Sequence, residues 1–589
     1  MVTAKERDTQ VVILTASTTA YRSRSWNRLR FELEYAREKG TTANTYVIKA
    51  DQTAVIDPPG ESFCQLFLAA LQKRLDLATI QYLVISHVNP NRVFTLKALL
   101  DLAPHLTFVC SNPGAKTLES LLPDQPLNMR VMKSESDRLD LGKGHVLQFF
   151  PTPTPRHPAE LLTYDPKDRI LYTDKFFGAH FCGDQVFDEG WEIYREDRQY
   201  YFDSVMAPHA RQVSTALEKL EALLPDQDTG SPVAFYAPAH GPMVRYGLVE
   251  LTHLYKQWSQ TQQAKALTVA LLYASAYGNT TTLAQAIARG LTKAGVQVES
   301  INCEAADPDS IKTTVEQAAG FIIGSPTLGG HAPTQIQTAL GIVLSNVPKD
   351  RLAAVFGSFG WSGEAIDLLE NKLRDAGYRF GFDPIRVKFK PTDQTLKLCE
   401  EAGTDFAQSL KKAQKRRKPR ALSADPSSSL ATVSATEKAV GRIVGSLGIV
   451  TTKREEVASA MLASWIAQAT FSPPGFTVAV AKERAIESLL FPGCNFVLNI
   501  LPEGNHIPLM RHFLKPFGPG ADRFEGVDME IAENGCPILK GASAYLECTV
   551  ASRMECGDHW VVYSTVQQGQ VLDAIAKTAV HQRKSGTHY

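Results

Sequence analysis

Thr268–Thr282, TVALLYASAYGNTTT, limits what this chain can fold into more than any other stretch. A run of branched and aromatic apolar residues passes into a hydroxyl-rich turn, and TLAQAIARGLTKAG follows at helical spacing, which predicts strand, loop and helix. A loop that opens a helix in this way is a phosphate cradle, because the first backbone N–H groups of the helix point into it and its dipole favours negative charge. Gly278 supplies the tight turn, and Ser275, Asn279, Thr280 and Thr281 add short side-chain donors. The Lys of GxxxxGK[ST] is absent and the loop is no GxGxxG, so the ligand that fits is a monophosphate such as the tail of FMN.

Two more loops turn the local signal into a site. FIIGSPTLGG (Phe321–Gly330) and LAAVFGSFGWSGEA (Leu352–Ala365) each follow an apolar strand and precede a helical pattern. Both therefore emerge at carboxyl ends of a parallel sheet, where open α/β sheets bind their ligands. The three loops are similar to the phosphate loop and the two isoalloxazine loops of flavodoxins. That likeness implies flavin contacts at Ser275, Ala276, Tyr277, Gly278, Asn279 and Thr280, at Ser325, Pro326, Thr327 and Leu328, and at Ser358, Phe359, Gly360, Trp361 and Gly363, with Trp361 or Tyr277 as stacking ring. VALLYA, VQVESI, GFIIGSP, LAAVFGSF and FDPIRVKFK are the five expected strands, in a doubly wound sheet of order 2-1-3-4-5.

A chain of 589 residues has room for three or four domains at roughly 100–200 residues each. Lys+Arg and Asp+Glu both number 62, so no overall charge favours nucleic acid or an anionic membrane. The start, MVTAKERDTQVV, has no apolar signal core and no run is long enough for a membrane span, which predicts a soluble cytoplasmic protein. Nine scattered cysteines without a CxxC argue against zinc-finger, rubredoxin and iron–sulfur sites. Redox chemistry must come from bound cofactors.

Residues 1–262 alternate hairpins with helices, the pattern of two sheets flanked by helices, and place polar residues just past several strands: YLVISHVNPNR, HVLQFFPTPTPRHP, RILYTDKFFGAH and FYAPAHGPM. NRLRFELEYAREKGTTANTYVI, the strand-end His87 and APAHGP, followed by the flavodoxin-like module at 263–414, resemble the flavodiiron proteins over essentially the whole chain. The resemblance implies a metallo-β-lactamase-like αββα sandwich first. Family members of this length, with a third flavin-reductase-like domain, come from oxygenic phototrophs and pass electrons from NAD(P)H to dioxygen, giving water. Their two irons sit on His-x-Glu-x-Asp-His, then a His, a bridging Asp and a final His.

This chain departs from that pattern. His87 and His240 match family metal positions, whereas Asn89, Asn91 and Arg92 stand where Glu, Asp and His are expected. Alignment on Pro158 puts Arg156 in the next ligand slot with His157 beside it, and alignment on the Phe-Gly of RILYTDKFFG puts Lys175 at the bridging carboxylate with Asp174 beside it. Iron needs anionic oxygens and neutral imidazoles, and neither Arg nor protonated Lys offers a lone pair. The expectation is a pocket without a diiron centre, where an anion fits better than a metal. A one-residue slip that brings in His157 and Asp174 is the competing reading.

KKAQKRRKPRALSADPSSSLATVSATEK suggests a flexible linker over 415–438. From 439 to 589 short strands between Gly and Pro turns suggest a small barrel. MLASWIAQATFSPPGFTVAVAKER resembles the flavin-reductase split barrels, which implies a second flavin, FMN or FAD, near Ser464, Trp465, Thr470, Ser472 and Asn499. The function expected is an NAD(P)H-dependent flavoprotein oxidoreductase directed at dioxygen, in a homo- or hetero-oligomer with a related flavodiiron protein. A non-iron docking subunit is the alternative; hydrolysis is disfavoured because the zinc-binding HxHxD set is missing.

Overall fold

The computed structural model describes residues 6–26, 39–225, 231–417 and 434–583. Most of the expected linker and part of NRLRFELEYAREKG lie outside these residues. Two compact units are present, Met1–Pro391 and Thr392–Tyr589. Among the described residues no helix is long and apolar enough to cross a membrane.

The first unit begins with a seven-stranded sheet whose strands follow chain order from Asp8–Ile13 to Asn128–Met132. The strand Thr41–Lys49 shows why it is buried on both faces. Tyr46 and Ile48 point inward against the second sheet, while Val47 points outward beneath Phe67 and Leu96 on the helices Cys64–Gln72 and Val93–Leu102. The second sheet has five strands in the order Phe235–Pro238, Ile170–Asp174, Leu161–Asp165, Val146–Pro151 and Arg138–Asp140. The helices Ala210–Lys219 and Leu248–Gln263 complete an αββα sandwich by packing Val213, Leu217, Leu251 and Tyr255 into the same core. Thr53–Ile56, Ile80–Val84, Ile170–Asp174 and Phe235–Pro238 each run in parallel with a neighbour. Their carboxyl ends carry Asp57, His87, Asp174 and His240.

The flavodoxin-like sheet is parallel, in the order Gln297–Asn302, Thr268–Tyr273, Gly320–Pro326, Leu352–Phe359 and Arg379–Phe380, which is the expected 2-1-3-4-5. The fifth strand is broken: Ile385–Lys388, in the expected segment, also pairs with Leu352–Phe359, farther along it. Helices on both faces bury the central strands, Thr268 at the start of the first being half-buried, as their apolar runs demand. Gly357 lets the two ligand loops approach, since a Cβ there would lie 2.1 Å from the Ser325 carbonyl oxygen. The helix Asp393–Arg417, which follows this sheet in sequence, groups with the second unit.

The second unit holds a seven-stranded antiparallel sheet. Its two edge strands, Val457–Ala463 and Ile466–Phe471, are consecutive in sequence and joined by Ser464 and Trp465 alone. Three Cα steps span at most about 11 Å, so the sheet must curl until its edges nearly meet. The product is a split barrel filled by Val450, Phe476, Val478, Phe496, Leu498 and Val562.

Candidate functional site

The flavodoxin loops converge as their sequence suggests. Gly278 takes φ 81° and opens the helix Asn279–Lys293. The Ser275 hydroxyl accepts from the Thr281 N–H at 3.2 Å, and Thr280 Oγ1 lies 2.9 Å from Ser358 Oγ, which ties the phosphate loop to the third loop. The second and third loops join where the Thr327 N–H donates to the Ser358 carbonyl at 3.0 Å. Ser325 is turned inward, its hydroxyl donating to the Pro326 carbonyl. Tyr277 is 82% exposed and Trp361 92%, an unusual outlay of aromatic surface unless a ring covers it. Leu328 is exposed on the second loop, and Phe389 meets Trp361 edge-on. On the same loops Ala276 is exposed and Asn279, Phe359, Gly360 and Gly363 are half-buried. The buried Thr327 hydroxyl is hydrogen-bonded to no described residue. A planar flavin with a monophosphate tail fits this set: hydroxyls and helix-start N–H groups for the phosphate, exposed rings for the isoalloxazine.

At the lactamase-like site the side chains bond to one another. His87 Nδ1 lies 2.6 Å from Asp174 Oδ2, and Arg92 Nη1 donates to Asp57 Oδ1 at 3.0 Å and to the His87 carbonyl at 3.3 Å. Asp57 also accepts from the Ser86 N–H and hydroxyl. The His240 Nδ1 faces the Thr42 carbonyl at 2.7 Å, and since a carbonyl only accepts, that nitrogen carries the proton. The lone pair is then on Nε2, where Lys175 Nζ sits at 3.1 Å. Lys175 thus occupies the position at which His240 would bind a metal.

Asp174 and Lys175 both reach the pocket, and so does His157. Asp174 has a left-handed φ of 45° at a register shift in its strand, so it and Lys175 are both buried in place of alternating faces. The His157 ring packs edge-on to His87 at 4.9 Å. The Arg156 charge is felt at His209 and Tyr273; burial first and then Arg156 push His209 down to about 3. Asn89 caps the turn Pro90–Arg92 with its side chain. Burial alone would raise the Asp174 carboxyl, but His87, Lys175 and Arg92 override it and hold it at about 2. Glu160 is the opposite: burial, then Asp174, push its carboxyl well above the usual range.

Asp57 and Glu160 were not among the residues picked from sequence. Asp57 follows a strand directly, the same signal that marked His87, but Asp-Pro-Pro-Gly reads as a turn. Asp57, His87 and Asp174 place ligand-capable atoms within 4.8 Å of one another, yet Arg92 and Lys175 are bonded into the same cluster. The donor set does not suit two irons.

In the barrel the expected contacts do not converge. Trp465, just before the strand Ile466–Phe471, packs on His559 and Arg583, while Thr470 near the far end of that strand binds the Pro473 carbonyl and the Tyr563 hydroxyl. Roughly 17 Å of strand separates them. Ser464 lies with Trp465, and Ser472 is exposed in the turn. Asn499 pins neighbouring strands: its amide donates to the Ile449 carbonyl and contacts Thr451 Oγ1, and its oxygen accepts from the Leu539 N–H. It is fully buried.

Family models match this chain in three places: the ODP family beta lactamase at 41–241, flavodoxin at 271–403, and the flavin reductase like domain at 440–587. Diflavin flavoprotein A 6 of Nostoc sp. (strain PCC 7120) is 63% identical, over 99% of both chains. The chain belongs to the diflavin flavoprotein family of flavodiiron proteins. Diflavin flavoprotein A 1 of Synechocystis sp. (strain PCC 6803) is 44% identical, over 99% of this chain and 98% of its own. The metal-soaked Flv1 flavodiiron core from Synechocystis sp. PCC6803 is a similar solved structure, 62% identical, covering 69% of this chain and 100% of its own with TM-score 0.67. As a diflavin flavoprotein the chain is a flavin oxidoreductase, with a flavodoxin module for FMN and a reductase domain for a second flavin.

Proposed function

We propose that this diflavin flavoprotein takes electrons from NAD(P)H at its C-terminal domain, passes them through the flavin of the flavodoxin module, and delivers them toward dioxygen at an iron site belonging to another, iron-bearing family member. Bound flavin supplies the chemistry that amino acids lack, accepting a hydride and releasing electrons singly. This chain's residues cradle the phosphate, flank the isoalloxazine with Trp361 and Tyr277, and bring the two flavin loops together. The observation that carries the reading is Lys175 Nζ at 3.1 Å from His240 Nε2, a cation on the lone pair that a metal requires.

The chain's own lactamase-like domain then holds no diiron centre, and a hetero-oligomer supplies the terminus. Full-length protein produced with abundant iron should contain far less than stoichiometric iron while retaining flavin. Near-stoichiometric diiron, with Asp174 or His157 as ligands, would show that this chain reduces oxygen itself. The second reading, a docking subunit with no electron flow of its own, rests on the same ion pairs. Rapid NAD(P)H-dependent reduction of the bound flavin excludes it.

A further inference from the structure

We propose that Glu304 sets how tightly the flavodoxin module holds a flavin phosphate, by competing for the cradle as a built-in carboxylate. The inference rests on the flavin reading of that module. Glu304 lies just past the strand Gln297–Asn302, next in the sheet to the strand that feeds the phosphate loop. Its Oε2 accepts from the Ser275 N–H at 3.3 Å, and its own N–H is held by Asn302 Oδ1 at 3.0 Å, which fixes the turn that aims it. The backbone N–H groups of Ala276, Tyr277, Gly278, Asn279 and Thr280 donate to no described residue. Within the cradle, one anionic group already sits on the first donor.

Among the described residues Glu304 forms no ion pair, and the Arg156 charge acts on its neighbour Tyr273. The groups that face Glu304 are the Tyr273 phenol and the Cys303 thiol, the latter pushed up to about 12 by burial, so both are neutral at ordinary pH. Glu304 is itself exposed at the edge of the loop; the partial loss of water around its carboxyl raises its pKa, and the Ser275 and Asn302 bonds counter that only in part. The phosphate loop contains no Lys or Arg. A flavin phosphate entering this cradle must displace a carboxylate from Ser275 or share the loop with it, and two like charges at one helix start repel. Riboflavin, which has the same ring system and no phosphate, meets no such penalty.

The test is a titration of full-length apoprotein with FMN and with riboflavin, comparing wild type with Glu304→Gln by flavin fluorescence quenching. The binding phase that disappears when Ser275 and Thr280 are replaced together identifies the flavodoxin site. Glu304→Gln keeps the side-chain shape and removes the charge. It should tighten FMN at that site on the order of tenfold, the size of one like-charge contact near a protein surface, and leave riboflavin unchanged. Glu304→Lys should tighten FMN further. Unchanged or weaker FMN binding in Glu304→Gln overturns the proposal, showing that Glu304 only positions Ser275. An equal shift for both flavins also overturns it, since the charge would then act through the fold and not on the phosphate. A wild-type apoprotein that takes up neither flavin in that phase would overturn the flavin reading itself.

Discussion

Glu160 is buried beside Asp174 and Lys175, and its raised carboxyl pKa makes a specific pH signature. Above the ordinary Glu range of about 4.3 the unfolded chain has lost this proton while the folded chain keeps it, so stability falls as pH rises through that window. Glu160→Gln imitates the protonated form and removes the dependence. The variant's Tm should exceed that of wild type by a margin that widens between about pH 5 and pH 8; a constant margin would assign Glu160 no titration. Asp174 runs the other way. With its pKa depressed to about 2, its stabilisation is full above the unfolded value near 3.9 and is lost as pH falls toward 2. Asp174→Asn takes the countercharge away from His87, Lys175 and Arg92, and removing one partner of a buried pair costs about 3 kcal/mol. Urea unfolding at neutral pH measures it, and a loss below about 1 kcal/mol would mean that another acid takes over.

The phosphate loop and the lactamase-like pocket differ in how much of each could be read before any coordinates. Strand, cradle and helix lie within one continuous segment, so Ser275, Gly278 and Thr280 carry their meaning locally, and each of the other two loops repeats that grammar. The pocket draws on Asp57, His87, Glu160, Asp174, Lys175 and His240, spread over some 180 residues of chain, and its chemistry depends on which face a strand-end residue takes. Period-two reasoning allows either Asp174 or Lys175 to point inward; the left-handed turn at Asp174 admits both, and no pattern in the sequence announces it. Asn499 is hard to read from sequence for a related reason. A buried Asn on a central strand looks like a ligand until its three backbone and hydroxyl partners on neighbouring strands are seen. At the level of the element, Ser275→Leu combined with Thr280→Leu fills the cradle and breaks the Thr280–Ser358 link. Desalted protein should lose one equivalent of flavin per chain by absorbance, with the barrel's flavin retained; full retention would remove the flavin from this loop.

Across the whole molecule, the two kinds of flavin domain divide the labour by what they present to a donor. The flavodoxin module exposes Trp361 and Tyr277 around three loops at a sheet edge, and no GxGxxG follows a strand anywhere in the chain. On the proposed function, a nicotinamide donor enters at the reductase domain. Cutting the chain to test this needs care at the helix Asp393–Arg417, which groups with the second unit although the flavodoxin match runs to residue 403. Its buried Leu396, Cys399, Phe406 and Leu410 form an apolar face that must stay covered, so removal of residues 439–589 is paired with the reciprocal fragment 392–589. The truncated chain should keep a flavin that dithionite reduces and lose NAD(P)H oxidation by at least about a hundredfold, the loss expected when the hydride-accepting cofactor is taken away. The reciprocal fragment, given FMN, should oxidise NAD(P)H unaided. Were the truncated chain to retain NAD(P)H oxidation, the donor would be entering at the flavodoxin loops, and the exposed Trp361 and Tyr277 would have to be reinterpreted as a nicotinamide platform.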